Sequence, residues 1–520
     1  MRRTIWLFAC LALVNAFTGA SAQTHSRTLD AEGRTARAYQ AAVQAGPLAL
    51  HAFLDQFPKG ADLHIHLSGA VYAETFIRDA GEDGLCVDRA ALGFAKPPCT
   101  PPLVEAAQVP ADQKLYDRLV DSFSMRSFVP TEGFSGHDQF FSTFDRFGGL
   151  GKLHIGEWVD EVASRAAAQN QQYVELMETP TFSHVAYLSK QNPLARDPTR
   201  QDFAQYRNTL LALGMSDEIF ADREDVRAAE TLRRQIEQCG TAQAAPACQV
   251  EVRYIYQVLR GNQPEQVFAQ TLLGFETVKA SMEAHEPSWV GINFVMPEDG
   301  FISMRDYTLQ MKMLDYLHSV YPKVHISLHA GELAPGLVPP EGLRFHIRQA
   351  VELGHAERIG HGVDVMYEDD AQGLLKEMAG KHVMVEINLS SNEGILGVRG
   401  SRHPFPLYRA AHVPVALSTD DEGVSRIEIT GEYVRAALDY HLSYQDLKQL
   451  ARTGMAHSFL PGASLWAAAD VFTTPVASCK EQAPGADRPA AGCKAFLDGS
   501  EKATAQWELE RRFKAFEAKF

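Results

Sequence analysis

The stretch Val324-His325-Ile326-Ser327-Leu328-His329-Ala330-Gly331-Glu332 decides how this chain is read. It is an apolar run of strand length that ends in an imidazole, turns at a glycine and presents a carboxyl group. Three other runs end in the same way. Ala61-Asp62-Leu63-His64-Ile65-His66 precedes it, Arg358-Ile359-Gly360-His361-Gly362 follows, and Val413 to Ser418-Thr419-Asp420-Asp421 comes last. Four buried strands that each finish in His, Glu or Asp describe a site assembled from the ends of parallel strands.

Working outward, eight short apolar segments can be picked out: 61–66, 173–177, 250–257, 289–295, 324–329, 358–363, 383–388 and 413–419. Amphipathic runs such as Pro264–Ala284, Asp306–Val320 and Leu343–Leu353 separate several of them. Strands alternating with helices predict a TIM-type (β/α)8 barrel, with catalytic groups at the carboxyl ends of its strands. Two gaps exceed an ordinary crossover. Residues 71–172 and 181–249 are read as helical insertions at the carboxyl face, either of which could roof the site. The expected organisation is a signal peptide over 1–22, a helical arm over 23–57, the barrel over 58–475, and a C-terminal loop and helix over 476–520.

The chain has 520 residues and a formal net charge of -16. That charge repels a polyphosphate backbone and an anionic membrane surface, so neither nucleic acid nor membrane is an expected partner. At the start, Arg2-Arg3, the apolar Ile5 to Phe17 and Ala20-Ser21-Ala22 form an export signal. Export to a periplasm or the medium suits the cysteines. Beyond Cys10, six of the seven remain, in three close pairs: Cys86 with Cys99, Cys239 with Cys248, and Cys479 with Cys493. In an oxidising compartment each pair would close a small loop.

In a strand, residues i and i+2 share a face, so His64 and His66 can reach one ion at a barrel mouth. His329 and Asp420 end strands that border the same mouth. Three imidazoles and one carboxylate suit one Zn2+ with a position left for water, whose pKa such an ion lowers toward ~7. No lysine stands in 291–297 to bridge a second ion. Glu332 is placed as a proton donor. His361 could accept a proton from the nucleophile, stabilise its charge, act as a fifth ligand or simply be a core histidine. Asp420 and Asp421 are adjacent, so one meets the metal and the other the substrate. His325 and His355 are read as structural.

Together these pieces resemble the adenosine deaminase family of metal-dependent amidohydrolases. The likeness runs from Phe57-Pro58-Lys59 through His64-Ile65-His66-Leu67, Tyr173-Val174-Glu175-Leu176 and the later motifs to about Pro475. It implies removal of the 6-amino group of adenosine, or of deoxyadenosine, by hydrolysis. By position, His64, His66, His329 and Asp420 would hold zinc, and Glu332 would protonate purine N1. His361 would assist the attacking hydroxide, and Asp421 would accept from N7. Two departures bear on substrate binding. The family's His-Leu-Asp-Gly reads His66-Leu67-Ser68-Gly69, and its Asp-Leu-x-Gly-x-Glu reads Asn293-Phe294-Val295-Met296-Pro297-Glu298. Ser68 and Met296 therefore stand where sugar and base contacts are expected. They motivate a second substrate reading, adenine or a 5′-modified adenosine. A secreted binding or growth-factor-like protein on a silent barrel is the alternative of another class, and an amidohydrolase of esters, phosphates or cyclic amides a more distant one.

Overall fold

The computed structural model describes residues 30–286 and 288–520. Eight strands form its central sheet: β1 (Gly60–His66), β2 (Gln171–Glu178), β3 (Glu251–Leu259), β4 (Trp289–Val295), β5 (His325–Ala330), β6 (Arg358–His361), β7 (Met384–Ile387) and β8 (Val415–Leu417). Each pairs in parallel with its sequence neighbour, in the order β1 to β8. The ring closes just past β8, where Asp420 bridges to Ile65 in parallel. There the Asp420 N–H donates to the His64 carbonyl at 2.8 Å, and the His66 N–H donates to the Asp420 carbonyl at 3.0 Å. This is the (β/α)8 barrel expected, and all eight strands fall on the expected segments.

Helices wrap the ring, so the strands are buried on both faces and read as near-continuous apolar runs. Below the site, Arg358 is fully buried between Glu175 at 2.6 Å and Glu386 at 2.7 Å. Asp62 ties the seam, accepting from the Thr419 hydroxyl at 2.6 Å and its N–H at 3.1 Å.

The first insertion holds helices Ala73–Glu82, Gln113–Ser122, Gly136–Arg146 and Ile155–Ala168. It also holds a small antiparallel sheet (Cys86–Asp88, Gly93–Ala95, Leu103–Glu105), which the sequence reading did not separate from the loop around the first cysteine pair. The second insertion is helical: Ser183–Gln191, Arg200–Ala212 and Ser216–Ile236. A hairpin, Trp466–Ala468 with Val471–Pro475, precedes the C-terminal helix Glu501–Glu517. That helix packs on the N-terminal helices Ala31–Ala45 and Pro47–Asp55 through Phe53, Phe57, Phe513 and Phe516. Lys448 binds Glu32 and Glu517, both at 2.7 Å, across the same junction. Disulfides join Cys86 to Cys99, Cys239 to Cys248 and Cys479 to Cys493. The segment read as a signal lies outside the described residues. Among the described residues no helix is long and apolar enough to cross a membrane.

Candidate metal centre and active site

His64 and His66 leave β1 on one face, His329 comes from β5, and Asp420 follows β8. One ligand atom from each lies within 4.8 Å of the others, and all four side chains are buried. His66 Nε2 is 3.2 Å from His329 Nε2 and 3.2 Å from Asp420 Oδ1, while His64 Nε2 is 3.4 Å from the same oxygen. Asp420 achieves this with a left-handed backbone, φ 65°, a strained conformation typical of residues held for function.

The outer nitrogens show what the inner ones can do. His64 Nδ1 meets Glu386 Oε2 at 2.6 Å, and His329 Nδ1 meets Asn293 Oδ1 at 2.6 Å. Both acceptors place the ring proton on Nδ1, so Nε2 carries a lone pair. His66 Nδ1 contacts the side-chain amide of Gln257, whose other end meets the Thr179 hydroxyl at 2.7 Å. His64 Nε2 has no hydrogen-bond partner despite full burial. Lone pairs from His64 and His329 converge with the Asp420 carboxylate and the ring edge of His66, a grouping that fits a divalent cation, and the N3O donor set suits zinc.

Beside this cluster, Glu332 Oε1 is 3.6 Å from His361 Nδ1, and His361 Nε2 is 4.0 Å from Asp420 Oδ2. Burial, with Asp420 and Glu298 nearby, raises the Glu332 carboxyl well above its ordinary range, which favours its protonated, proton-donating form. Burial and Asp420 raise Asp421 likewise. Burial, reinforced by His64 and His66, pushes the His361 imidazole down to about 3, so the ring is neutral. Glu332 sits on a turn held from behind. Glu298 accepts the Gly331 N–H at 3.0 Å and the Glu332 N–H at 2.9 Å, and receives His346 Nδ1 at 2.5 Å. Gly331 has φ 75°, and a Cβ there would lie 2.5 Å from Asp364 Oδ1, so the turn requires glycine.

A cavity of about 550 Å³ opens over the cluster. Ser68, Met296, His66, His329, Glu332, Asp420 and Asp421 line its floor and wall, whereas His361 is buried outside the lining. The helix Gly136–Arg146 roofs it with Phe140, Phe141 and Phe144. None of residues 181–249 lines it, so of the two insertions only the first reaches the cavity. His325, which pairs with Glu357, and His355, which pairs with Asp315, take no part. The sequence reading did not single out Gln257, Glu386, Asn392 or His403, and met Asn293 and Glu298 only as parts of a variant motif. Each supports a site residue from a strand, helix or turn elsewhere in the chain, with no recognisable spacing.

The family model described as adenosine deaminase matches residues 155–470. The chain belongs to the adenosine deaminase family. That match takes in His329, Glu332, His361, Asp420 and Asp421, and begins beyond His64 and His66, which join them through the barrel seam. Among curated relatives, the adenosine deaminase of Clostridium perfringens is 33% identical over 135 residues, 26% of this chain and 37% of that protein. The Enterococcus faecalis adenosine deaminase is 34% identical over 138 residues, covering 26% and 37%. The chain thus spans little more than a third of the length of these relatives. Among solved structures, a zinc-bound amidohydrolase from Burkholderia ambifaria aligns with a TM-score of 0.53 at 16% identity, covering 90% of this chain and 95% of that one. An adenine deaminase from Arthrobacter aurescens aligns at 0.50 and 17%, covering 78% and 94%. At such identities these structures speak to the fold alone.

Proposed function

We propose that the chain is an exported zinc-dependent aminohydrolase that deaminates a neutral purine nucleoside, adenosine or deoxyadenosine, to the 6-oxopurine and ammonia. The observation that carries this reading is the buried Glu332 facing the same cavity as His66, His329 and Asp420, its carboxyl raised by burial. His64, His66, His329 and Asp420 would hold the ion, whose contribution when bound is an acidified water at neutral pH. Glu332 donates to purine N1, which makes C6 electrophilic. Water adds at C6, the C6–N bond breaks, and the amino group leaves as ammonia. Asp421, its carboxyl raised by burial and by Asp420, offers an O–H to N7, whose lone pair accepts it.

The cavity wall favours a nucleoside over a nucleotide. Among the described residues its lining contains no lysine or arginine, while Asp138 and Asp145 stand on the roof helix. A 5′-phosphate would meet carboxylates with no counter-charge, a costly encounter at short range. Ser68 and Met296 line the sugar and base side, which keeps adenine and 5′-modified adenosines as a second reading. The three disulfides support an oxidising compartment.

The deciding experiment incubates the zinc-loaded protein with adenosine, deoxyadenosine, adenine, 5′-methylthioadenosine and AMP, following loss of the adenine ultraviolet band. Adenosine or deoxyadenosine should turn over fastest and AMP least. Equal or faster turnover of AMP, or none of any purine, overturns the reading.

A further inference from the structure

The protonation pattern of His361 can be traced from a backbone amide, which cannot be inverted. The Phe405 N–H donates to His403 Nδ1 at 3.1 Å. That nitrogen is therefore the acceptor, and the neutral ring carries its proton on Nε2. His403 Nε2 donates to Asn392 Oδ1 at 3.0 Å, which orients the Asn392 amide. Its Nδ2 is thereby turned to His361 Nδ1, 2.9 Å away, and Asn388 Nδ2 approaches the same nitrogen at 3.4 Å. An amide N–H2 only donates, so His361 Nδ1 accepts and the ring proton sits on Nε2. Glu332 Oε1, 3.6 Å from Nδ1, lies beyond hydrogen-bond range, and a protonated carboxyl there is compatible with an accepting nitrogen. His361 Nε2 has no protein hydrogen-bond partner and faces the metal cluster, 4.0 Å from Asp420 Oδ2. The backbone at His361 is left-handed, φ 69°, so its ring direction is imposed by the surroundings.

We infer that Asn392 and His403 are positioning residues that hold His361 as a fixed hydrogen-bond donor to the attacking oxygen, not as an acceptor of its proton. The inference rests on the deaminase reading and narrows the roles left open for His361. With His361 keeping its Nε2 proton throughout, the proton transfers of hydrolysis fall to Glu332. Its carboxyl proton goes to N1, and its carboxylate takes the proton water sheds on adding to C6. It passes that proton to the leaving amino group and recovers one from the C6 hydroxyl as the carbonyl forms. One water is consumed, one ammonia leaves, and Glu332 ends protonated.

Asn392→Asp separates the two roles because they predict opposite changes. A carboxylate cannot donate to Nδ1, so the His361 proton moves to Nδ1 and Nε2 becomes a more basic acceptor. If His361 acts as a donor, kcat for adenosine falls by about 100-fold, the usual loss on removing one such donor, with KM and zinc content little changed. Unchanged or raised kcat overturns the inference. Nitrogen-15 spectra of the zinc-loaded protein with labelled histidines provide an independent readout, the His361 signals being identified by their absence in His361→Gln. The wild-type protein should show a protonated Nε2 and a bare Nδ1, and Asn392→Asp the reverse. A wild-type spectrum with the proton on Nδ1 sinks the inference whether or not the variant folds. The expected tautomer in a protein that turns over no purine would refute the deaminase reading and leave the positioning relay standing.

Discussion

The three imidazoles at the centre face three unlike partners: a carboxylate from Glu386 and side-chain amides from Gln257 and Asn293. Only Glu386 brings charge, and Arg358 shares it. A carboxylate behind a ligating imidazole raises its basicity more than an amide does, and such outer contacts are worth 10–100-fold in metal affinity. Asn293→Asp should therefore tighten zinc retention by about tenfold, measured by competition with a chromogenic chelator. An unchanged or weaker affinity would show that the amide is not what limits binding. Gly69 is a second residue whose identity is set by contact. A Cβ there would fall 1.5 Å from Asp421 Oδ1. Gly69→Ala must displace that carboxyl group, and a displacement near 1 Å at a reacting centre costs on the order of 100-fold. The expected result is a kcat/KM for adenosine lowered by about that factor with zinc content intact, as measured by metal analysis alongside steady-state rates.

Elements differ in how openly the sequence declares them. The barrel strands could be read because each is buried on both faces and most carry a charged or imidazole group at one end, which leaves apolar runs with marked termini. The four proposed metal ligands were legible for the same reason: His64 and His66 obey the strand period, and His329 and Asp420 close their runs. The supporting residues were not, because Gln257, Glu386 and Asn392 come from other elements far along the chain and nothing in local spacing links them to the rings they hold. The roof was half legible. Either insertion could roof the mouth on sequence grounds, and the helix Gly136–Arg146 of the first owes its place there largely to contacts distant in sequence. Ser135 and Asp138 form its capping box, His137 meets Asp299 at 3.0 Å, and a Cβ at Gly136 would lie 1.9 Å from the Gly394 carbonyl oxygen. Gly136→Ala should push the helix off that carbonyl and loosen the Phe140–Phe144 wall. If this wall only binds substrate, KM for adenosine should rise by about tenfold, equivalent to ~1.4 kcal/mol, with kcat little changed. A fall in kcat at constant KM would instead give the roof a part in the chemical step.

For the whole molecule, buried acids make stability depend on pH in a direction opposite to the usual one. Glu432 is fully buried against the start of the helix Leu389–Leu396, where it accepts from the Ser390 N–H at 3.3 Å while its other oxygen has no partner. Burial pushes its carboxyl up to about 7, even though Ser390, Arg435 and the Leu389 amide pull the other way. In the unfolded chain it titrates near 4.5. The folded state thus holds this proton more tightly, and the associated stability is fully present below pH ~4.5 and lost as pH rises through 7. The loss amounts to at most about 3 kcal/mol at neutral pH, since one pKa unit is worth about 1.4 kcal/mol. Glu432→Gln keeps the shape and removes the titration. Urea unfolding of both proteins at pH 5 and pH 8 should show the variant gaining on the parent at the higher pH. A constant difference between the two would mean that Glu432 is already ionised in the folded barrel, its charge balanced by Arg435.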